Sequence, residues 1–171
     1  DTALNYGKKA GLKYAPQSHT MSALALGQFD QPIGNRDGGN TTILASAYGA
    51  FGNNGVIYEP ALYTKVEDAS GNLLLEKEPI STKLFSPQTS YIIYDILKGS
   101  STSAQFNDIP VAGKTGTTNS SDNFWFAGLT PYYSGSVWIG YDNPQRMNGR
   151  SSSAASLFSK IMAVAHEGLE Y

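Results

Sequence analysis

Apolar residues recur at helical spacing through the first hundred positions and then change to strand-like runs. Thr41-Thr-Ile-Leu-Ala-Ser-Ala-Tyr-Gly-Ala-Phe51 puts Ile43, Leu44, Ala47, Tyr48 and Phe51 on one face at steps of three and four. Asn40 or Thr41 can cap that helix, and the run from Gly52 to Gly55 ends it. Ser86-Pro87 joins an N-cap hydroxyl to a proline at the first helical position; Ile92, Ile93, Ile96 and Leu97 are the expected buried stripe before Gly99. A short helix over Asp1 to Leu12 stops at Gly11, and its abrupt start suggests a piece of a larger domain. Between the helices lie a Gly-, Asn- and Asp-rich loop from Gly27 to Asn40 and two β-rich stretches, Val56–Tyr58 and Leu62–Val66, around Pro60. Asp68-Ala-Ser-Gly-Asn72 is turn chemistry leading into Leu73–Leu75, which predicts a hairpin.

After a polar loop from Ser100 to Asp108 the pattern becomes a meander. Val111–Thr118, Phe124–Leu129 and Gly135–Tyr141 read as three adjacent antiparallel strands joined by short turns. Ser151–His166 is helical again, with Leu157, Phe158, Ile161, Met162 and Ala165 on one side and Gly168 as its stop. No internal repeat or low-complexity segment interrupts this order. The expected class is α+β, an antiparallel sheet with helices packed on it.

Composition narrows the functions open to such a chain. With 171 residues, 40% of them hydrophobic, it suits one compact domain or a large piece of one. Net charge is −2 and the cations are scattered, so the electrostatic footprint of a nucleic-acid binder is missing. No apolar run approaches the roughly 20 residues of a membrane span, so no membrane segment is expected in this piece. Zero cysteines exclude thiolate metal sites and disulfides, and His19 and His166 are too few for a histidine metal cluster. No metal or cofactor is expected. Asp30 and Asp37 lack the spacing and closing Glu of a calcium loop, and the eleven tyrosines have no stacking-platform spacing.

The most specific chemical signal is Val111-Ala-Gly-Lys-Thr-Gly-Thr-Thr118, a Lys-Thr-Gly triplet inside a strand. Alternation puts Thr115 and Thr117 on one face, so two hydroxyls can hold a carboxylate, with Lys114 adding a positive charge nearby. Gly116 between them leaves room for another extended backbone to approach, and the N–H of a residue such as Thr117 can point at a developing oxyanion. A three-residue string recurs by chance in many proteins. Here it is followed by Thr117-Thr-Asn119, by Asp122-Asn-Phe-Trp-Phe-Ala-Gly-Leu-Thr-Pro131 and by Ser136-Val-Trp-Ile-Gly-Tyr-Asp142. Upstream stand Ala45-Ser-Ala-Tyr48, Phe51-Gly-Asn-Asn-Gly55, Pro60 and Asp68-Ala-Ser-Gly71.

Together these segments resemble the class A penicillin-binding proteins from about Gly27 to the last helix. The resemblance implies a three-layer, penicillin-binding and serine β-lactamase-like transpeptidase fold, of which residues 1–171 are the C-terminal portion. It also implies a D,D-transpeptidase that crosslinks peptidoglycan stem peptides by serine acyl transfer and is acylated by β-lactams, on the outer face of the bacterial cytoplasmic membrane. In the resemblance Lys114 sits near the substrate carboxylate and assists proton movement. Thr115 and Thr117 hold that carboxylate, Gly116 leaves space, and the Thr117 N–H is half of the oxyanion hole. The implied partners are the stem peptide, β-lactams and the N-terminal remainder of the domain; the complete protein would add a membrane anchor and a glycosyltransferase.

The family needs Ser-x-x-Lys and then Ser-x-Asn before Lys-Thr-Gly. No Ser-x-x-Lys occurs in the chain, so the nucleophile is expected on sequence preceding Asp1, and the chain alone is expected to be inactive. Ser121-Asp-Asn123 follows the triplet and reads as a turn, and Ser70-Gly-Asn72 reads as a hairpin tip. A Ser-His-Asp arrangement on His19 or His166 is weaker, since each suits a surface or internally satisfied histidine. Trp125 and Trp138 lie in strands, where aromatics are usually core, although Trp125 also suits a cleft rim. Two other functions fit the same fold: a noncatalytic peptide-binding domain, and a carboxypeptidase or β-lactamase relative.

Overall fold

A computed structural model describes residues 2–14 and 39–170. His19, Asp30, Asp37 and the Gly27–Asn40 loop as far as residue 38 lie outside the described residues. The first helix, α1 (Thr2–Lys9), gives way to Gly11 at φ +89°, the left-handed conformation in which glycine has no Cβ to clash. Helix α2 (Thr41–Gly52) starts where Asn40 accepts a hydrogen bond from the Ile43 N–H, at 2.9 Å. Helix α3 (Pro87–Lys98) starts where the Ser86 hydroxyl accepts from the Thr89 N–H, at 3.1 Å.

Between α2 and α3 run four short strands in two separate pairs. β1 (Val56–Tyr58) pairs antiparallel with β4 (Ser81–Lys83), and β2 (Lys65–Glu67) pairs with β3 (Leu73–Glu76) as the expected hairpin. The second β-rich stretch is shorter than its sequence suggests, because Leu62 is fully exposed and only Lys65–Glu67 finds a partner. β4 has no apolar pattern and was not expected.

The meander is present as a three-stranded antiparallel sheet in the order β5 (Ala112–Thr117), β6 (Asn123–Leu129), β7 (Ser134–Gly140). Helix α4 (Ser152–Ala165) covers one face of it. Phe126 of β6 meets Phe158 of α4 with ring centroids 4.8 Å apart, inside a core that includes Phe124, Val137, Ala155 and Met162. Each fully buried phenylalanine contributes about 1.5–3 kcal/mol by leaving water. Helices α2 and α3 lie on the other face, where the Ser136 hydroxyl donates to the Thr41 carbonyl at 2.9 Å. The architecture is helix, sheet, helix, an α+β three-layer arrangement.

Three expected faces are corrected by the packing. In α3, Ile92 and Ile96 are exposed, at 57% and 68%, while Ile93 and Leu97 are half-buried. In α4 the buried line is Ala154, Ala155, Phe158 and Met162; Leu157, Ile161 and Ala165 turn outward. In α2 only Ala50 is fully buried, and the expected face is half-covered. The polar loop after α3 is also more than a loop: it holds a 3-10 turn at Thr102–Ala104 and sends Ala104 and Phe106 into the core.

Candidate active site

The Lys-Thr-Gly triplet lies in β5, an edge strand of the sheet among the described residues. Thr115 pairs with Phe126 and Thr117 with Phe124, so both threonines stand on the α4 face. Lys114 and Gly116 pair with Ala127 and Trp125 and stand on the opposite face. The hydroxyl pair and the ammonium therefore leave the strand from opposite sides. They meet at its margin, because the Lys114 Nζ folds over the edge to donate to the Thr115 carbonyl at 3.3 Å. Thr117 and Lys114 are exposed and Thr115 is half-buried, so none is sealed in the interior.

Antiparallel pairing alternates between residues that exchange hydrogen bonds with the neighbour and residues that turn their N–H and C=O outward. The Thr118 N–H donates to the Asn123 carbonyl of β6, which makes 118, 116, 114 and 112 the inward positions. Thr117, Thr115, Gly113 and Val111 then present their peptide groups to the free margin. Side chains beside the margin agree with that parity. Ser100 donates to the Gly113 carbonyl at 2.7 Å, and both Ser101 and Gln105 donate to the Val111 carbonyl, the latter at 3.1 Å. Among the described residues, the Thr117 peptide group and the Thr115 N–H are left open along this margin, while the Thr115 carbonyl accepts from Lys114 alone.

The glycine before the triplet has its own cause. A Cβ on Gly113 would come within 2.5 Å of the Phe126 ring and 2.7 Å of the Ala127 carbonyl, so only glycine leaves that ring its place against β5. A cleft of about 270 Å³ opens beside Thr115, lined by Ser100, Ser101, Thr102, Ser103 and Ser151.

Beyond Thr117 the strand ends in a turn held by a closed polar network. The Thr118 hydroxyl donates to the Asp122 carboxylate and accepts from the N–H groups of Asp122 and Asn123, at 3.2 and 3.1 Å. The Asn123 amide donates to the same carboxylate at 2.9 Å and accepts from the Trp138 indole at 2.7 Å. Hydrogen bonds from Thr118, then from Ser120, hold the Asp122 carboxyl below the usual carboxylate range. Ser121 sits at φ +57° in this turn, and Ser70 lies at the tip of the β2–β3 hairpin. Trp125 lies against Gly116 and tilts toward Trp138, with ring centroids 6.4 Å apart.

His166 is buried in a ring of Phe106, Tyr132 and Tyr133. Its Nδ1 is 2.7 Å from the Met162 carbonyl, which can only accept, so Nδ1 carries a proton, and Nε2 shares a hydrogen bond with the Thr130 hydroxyl at 2.9 Å. Both ring nitrogens have hydrogen-bond partners inside the fold. The caps at Ser100, Ser101 and Gln105 were missed by the sequence reading. Their one signal was a run of hydroxyl residues ahead of an edge strand.

The model of the penicillin binding protein transpeptidase domain matches residues 2–163. The chain belongs to this transpeptidase family. Penicillin-binding protein 1A of Clostridium perfringens strain 13 is 54% identical over 176 residues, and penicillin-binding protein 1A/1B of Bacillus subtilis strain 168 is 32% identical over 194. The alignments take in 99% and 98% of this chain but only 26% and 20% of those proteins. The chain thus spans about a fifth to a quarter of the length of the curated relatives it matches. Its transpeptidase fold is similar to the D,D-transpeptidase domain of a peptidoglycan glycosyltransferase from Eggerthella lenta, with a TM-score of 0.70 at 21% identity, over 98% of this chain and 48% of that one. It is equally similar, at TM-score 0.70 and 16% identity, to penicillin-binding protein A of Mycobacterium tuberculosis, solved as an imipenem acyl-enzyme complex, over 94% of this chain and 41% of that one. The resemblance to class A penicillin-binding proteins is thereby borne out. No helix among the described residues is long and apolar enough to cross a membrane.

Proposed function

We propose that this chain supplies the substrate-binding strand of a D,D-transpeptidase that crosslinks peptidoglycan stem peptides outside the cytoplasmic membrane. The observation that carries the reading is the open margin of β5, where Thr115 and Thr117 turn their peptide groups away from β6 beside the Lys114 ammonium, which itself reaches the Thr115 carbonyl. An extended peptide can add to that edge by main-chain hydrogen bonds, and its carboxylate finds a cation and two hydroxyls there.

The chemistry follows from that placement. A serine hydroxyl on the part of the domain that precedes Lys-Thr-Gly attacks the carbonyl carbon of the penultimate D-alanine. Its proton passes to the departing D-alanine nitrogen, and a serine ester remains. The Thr117 N–H, turned outward and fixed by strand pairing, stabilises the negative charge that gathers on the carbonyl oxygen in between. The amine of a neighbouring stem peptide then attacks the ester, forms the crosslink and returns the proton to serine. Lys114 holds the donor carboxylate and favours the proton movements electrostatically. A β-lactam presents a carboxylate and a strained amide to the same groups and stops at the ester.

Labelling with fluorescent penicillin tests this reading. The 171-residue polypeptide should give no covalent band, and the longer protein that joins it to Ser-x-x-Lys should label. A labelled 171-residue chain overturns the assignment of roles. An unlabelled longer protein points instead to a noncatalytic peptide-binding domain.

A further inference from the structure

The free margin of β5 is closed at one end. Val111 and Gly113 turn their carbonyls outward like Thr115 and Thr117, yet those two carbonyls are already taken by side chains from the segment between α3 and β5. Ser100 Oγ donates to Gly113 at 2.7 Å, Ser101 Oγ donates to Val111, and Gln105 Nε2 bridges Ser101 Oγ and the Val111 carbonyl at 3.0 and 3.1 Å. These residues occupy the place where a further strand would lie. At the other end no side chain among the described residues caps Thr117, and the chain turns away at Thr118 into the Asp122 turn. A peptide adding to this edge can pair with two rungs and then meets a wall.

The cation marks which end of the peptide reaches that wall. Lys114 Nζ lies over the margin at Thr115, next to the closed rung, and among the described residues forms no ion pair. An anionic C-terminus is stabilised there and an amino terminus is repelled. The peptide therefore runs from Thr117 toward Thr115, antiparallel to β5, and must end opposite Gly113.

Resting on the transpeptidase reading above, we propose that Ser100 and Gln105 are specificity-determining residues: by closing the margin at Gly113 and Val111 they restrict the site to free peptide C-termini and exclude internal peptide bonds. Neither touches the reacting atoms. Without the caps, the Gly113 carbonyl becomes a third acceptor that can pair with the N–H of a ligand residue beyond the terminal one.

The test uses the longer protein with its serine, assayed by cleavage of the D-Ala–D-Ala bond, which releases D-alanine from one donor and D-alanylglycine from the other. One donor is a stem peptide ending in D-Ala-D-Ala, and the other is the same peptide extended by a C-terminal glycine. The unaltered protein should favour the free-ended donor by about 100-fold in kcat/KM, the scale on which a site discriminates against a ligand carrying one small added group. Ser100→Gly, Gln105→Ala and their combination should reduce that preference by roughly tenfold, with penicillin labelling unchanged. A general loss of stability lowers both donors together and leaves the ratio alone, so the ratio isolates the role. Gln105 is exposed, so its alanine variant leaves the core intact. If the preference stays the same in the Gln105→Ala and doubly substituted proteins, or if the unaltered protein cleaves both donors equally, the inference is overturned. Failure of the unaltered protein to label with penicillin counts against the transpeptidase reading instead.

Discussion

The C-terminal meander with α4 and the stretch from β1 to α3 contain similar numbers of large apolar residues but use them differently. Around the meander, eleven buried residues from the segment 104–111, from β6 and β7, and from α4 form one cluster. In the earlier stretch only Ile57 and Leu84 join a buried cluster, together with Ala50 of α2, while Leu62, Leu73, Leu74, Leu75, Ile80, Ile92 and Ile96 stand exposed. An apolar residue stabilises the fold only when a second surface reaches it, and in the described residues only the meander has helices on both faces. The candidate site lies on the well-supported side. Its free margin is set by a strand whose other edge and one face are fixed by the core.

Substitutions at equivalent helical positions should break the comparison most sharply. Phe158→Ala removes a ring that is 1% exposed and packed at a tilt of 58° against Phe126. The expected loss is about 3–5 kcal/mol, measured by urea denaturation of the chain, because the surrounding strands cannot close the cavity. Ile96→Ser on α3 should change stability by no more than about 0.5 kcal/mol, since its side chain already faces water. A loss as large as that of Phe158→Ala would show that α3 is covered by a surface this structure does not contain.

Those two helices also show what the sequence could reveal. Both carry apolar residues at steps of three and four, and a stripe of that kind fixes the element but not which side is covered. In α4, apolar residues ring more than half the circumference, so Leu157 and Ile161 were grouped with Phe158 although the sheet touches only the line through Ala154, Phe158 and Met162. Caps were legible because their chemistry is local: Asn40 and Ser86 each reach a backbone N–H three residues on. Lys114, Thr115, Gly116 and Thr117 were legible as a group for the same reason, since strand alternation fixes their geometry. β4 was not, because Ser81–Lys83 becomes a strand only through its pairing with Val56–Tyr58. Nor were the caps at Ser100 and Gln105, which join positions 13 and 6 residues apart in sequence through a strand edge that no local pattern displays.

The smallest expected effect sharpens the contrast at two turns. Asp68 at the β2–β3 tip and Asp122 at the β5–β6 turn are both held below the ordinary carboxylate pKa by hydrogen bonds, Asp68 first by the Asn72 side chain and Asp122 first by the Thr118 hydroxyl. In each case the folded form binds its proton less readily than the unfolded chain does. The contribution of each carboxylate is therefore intact above the ordinary value near 3.8 and is lost as pH falls through the lowered value. The consequences should differ, because every residue of β3 is exposed whereas Phe124 and Phe126 anchor β6 in the core. On acidification, amide exchange at Ser70 and Asn72, relative to a short unstructured peptide at the same pH, should rise together with that of the whole hairpin. Exchange at Asn123 should rise alone while Phe126 stays protected. Joint opening of both strand pairs at the same pH would mean that the β5–β6 pairing depends on its polar turn, and that the margin used by the site is less independent of it than the core packing implies.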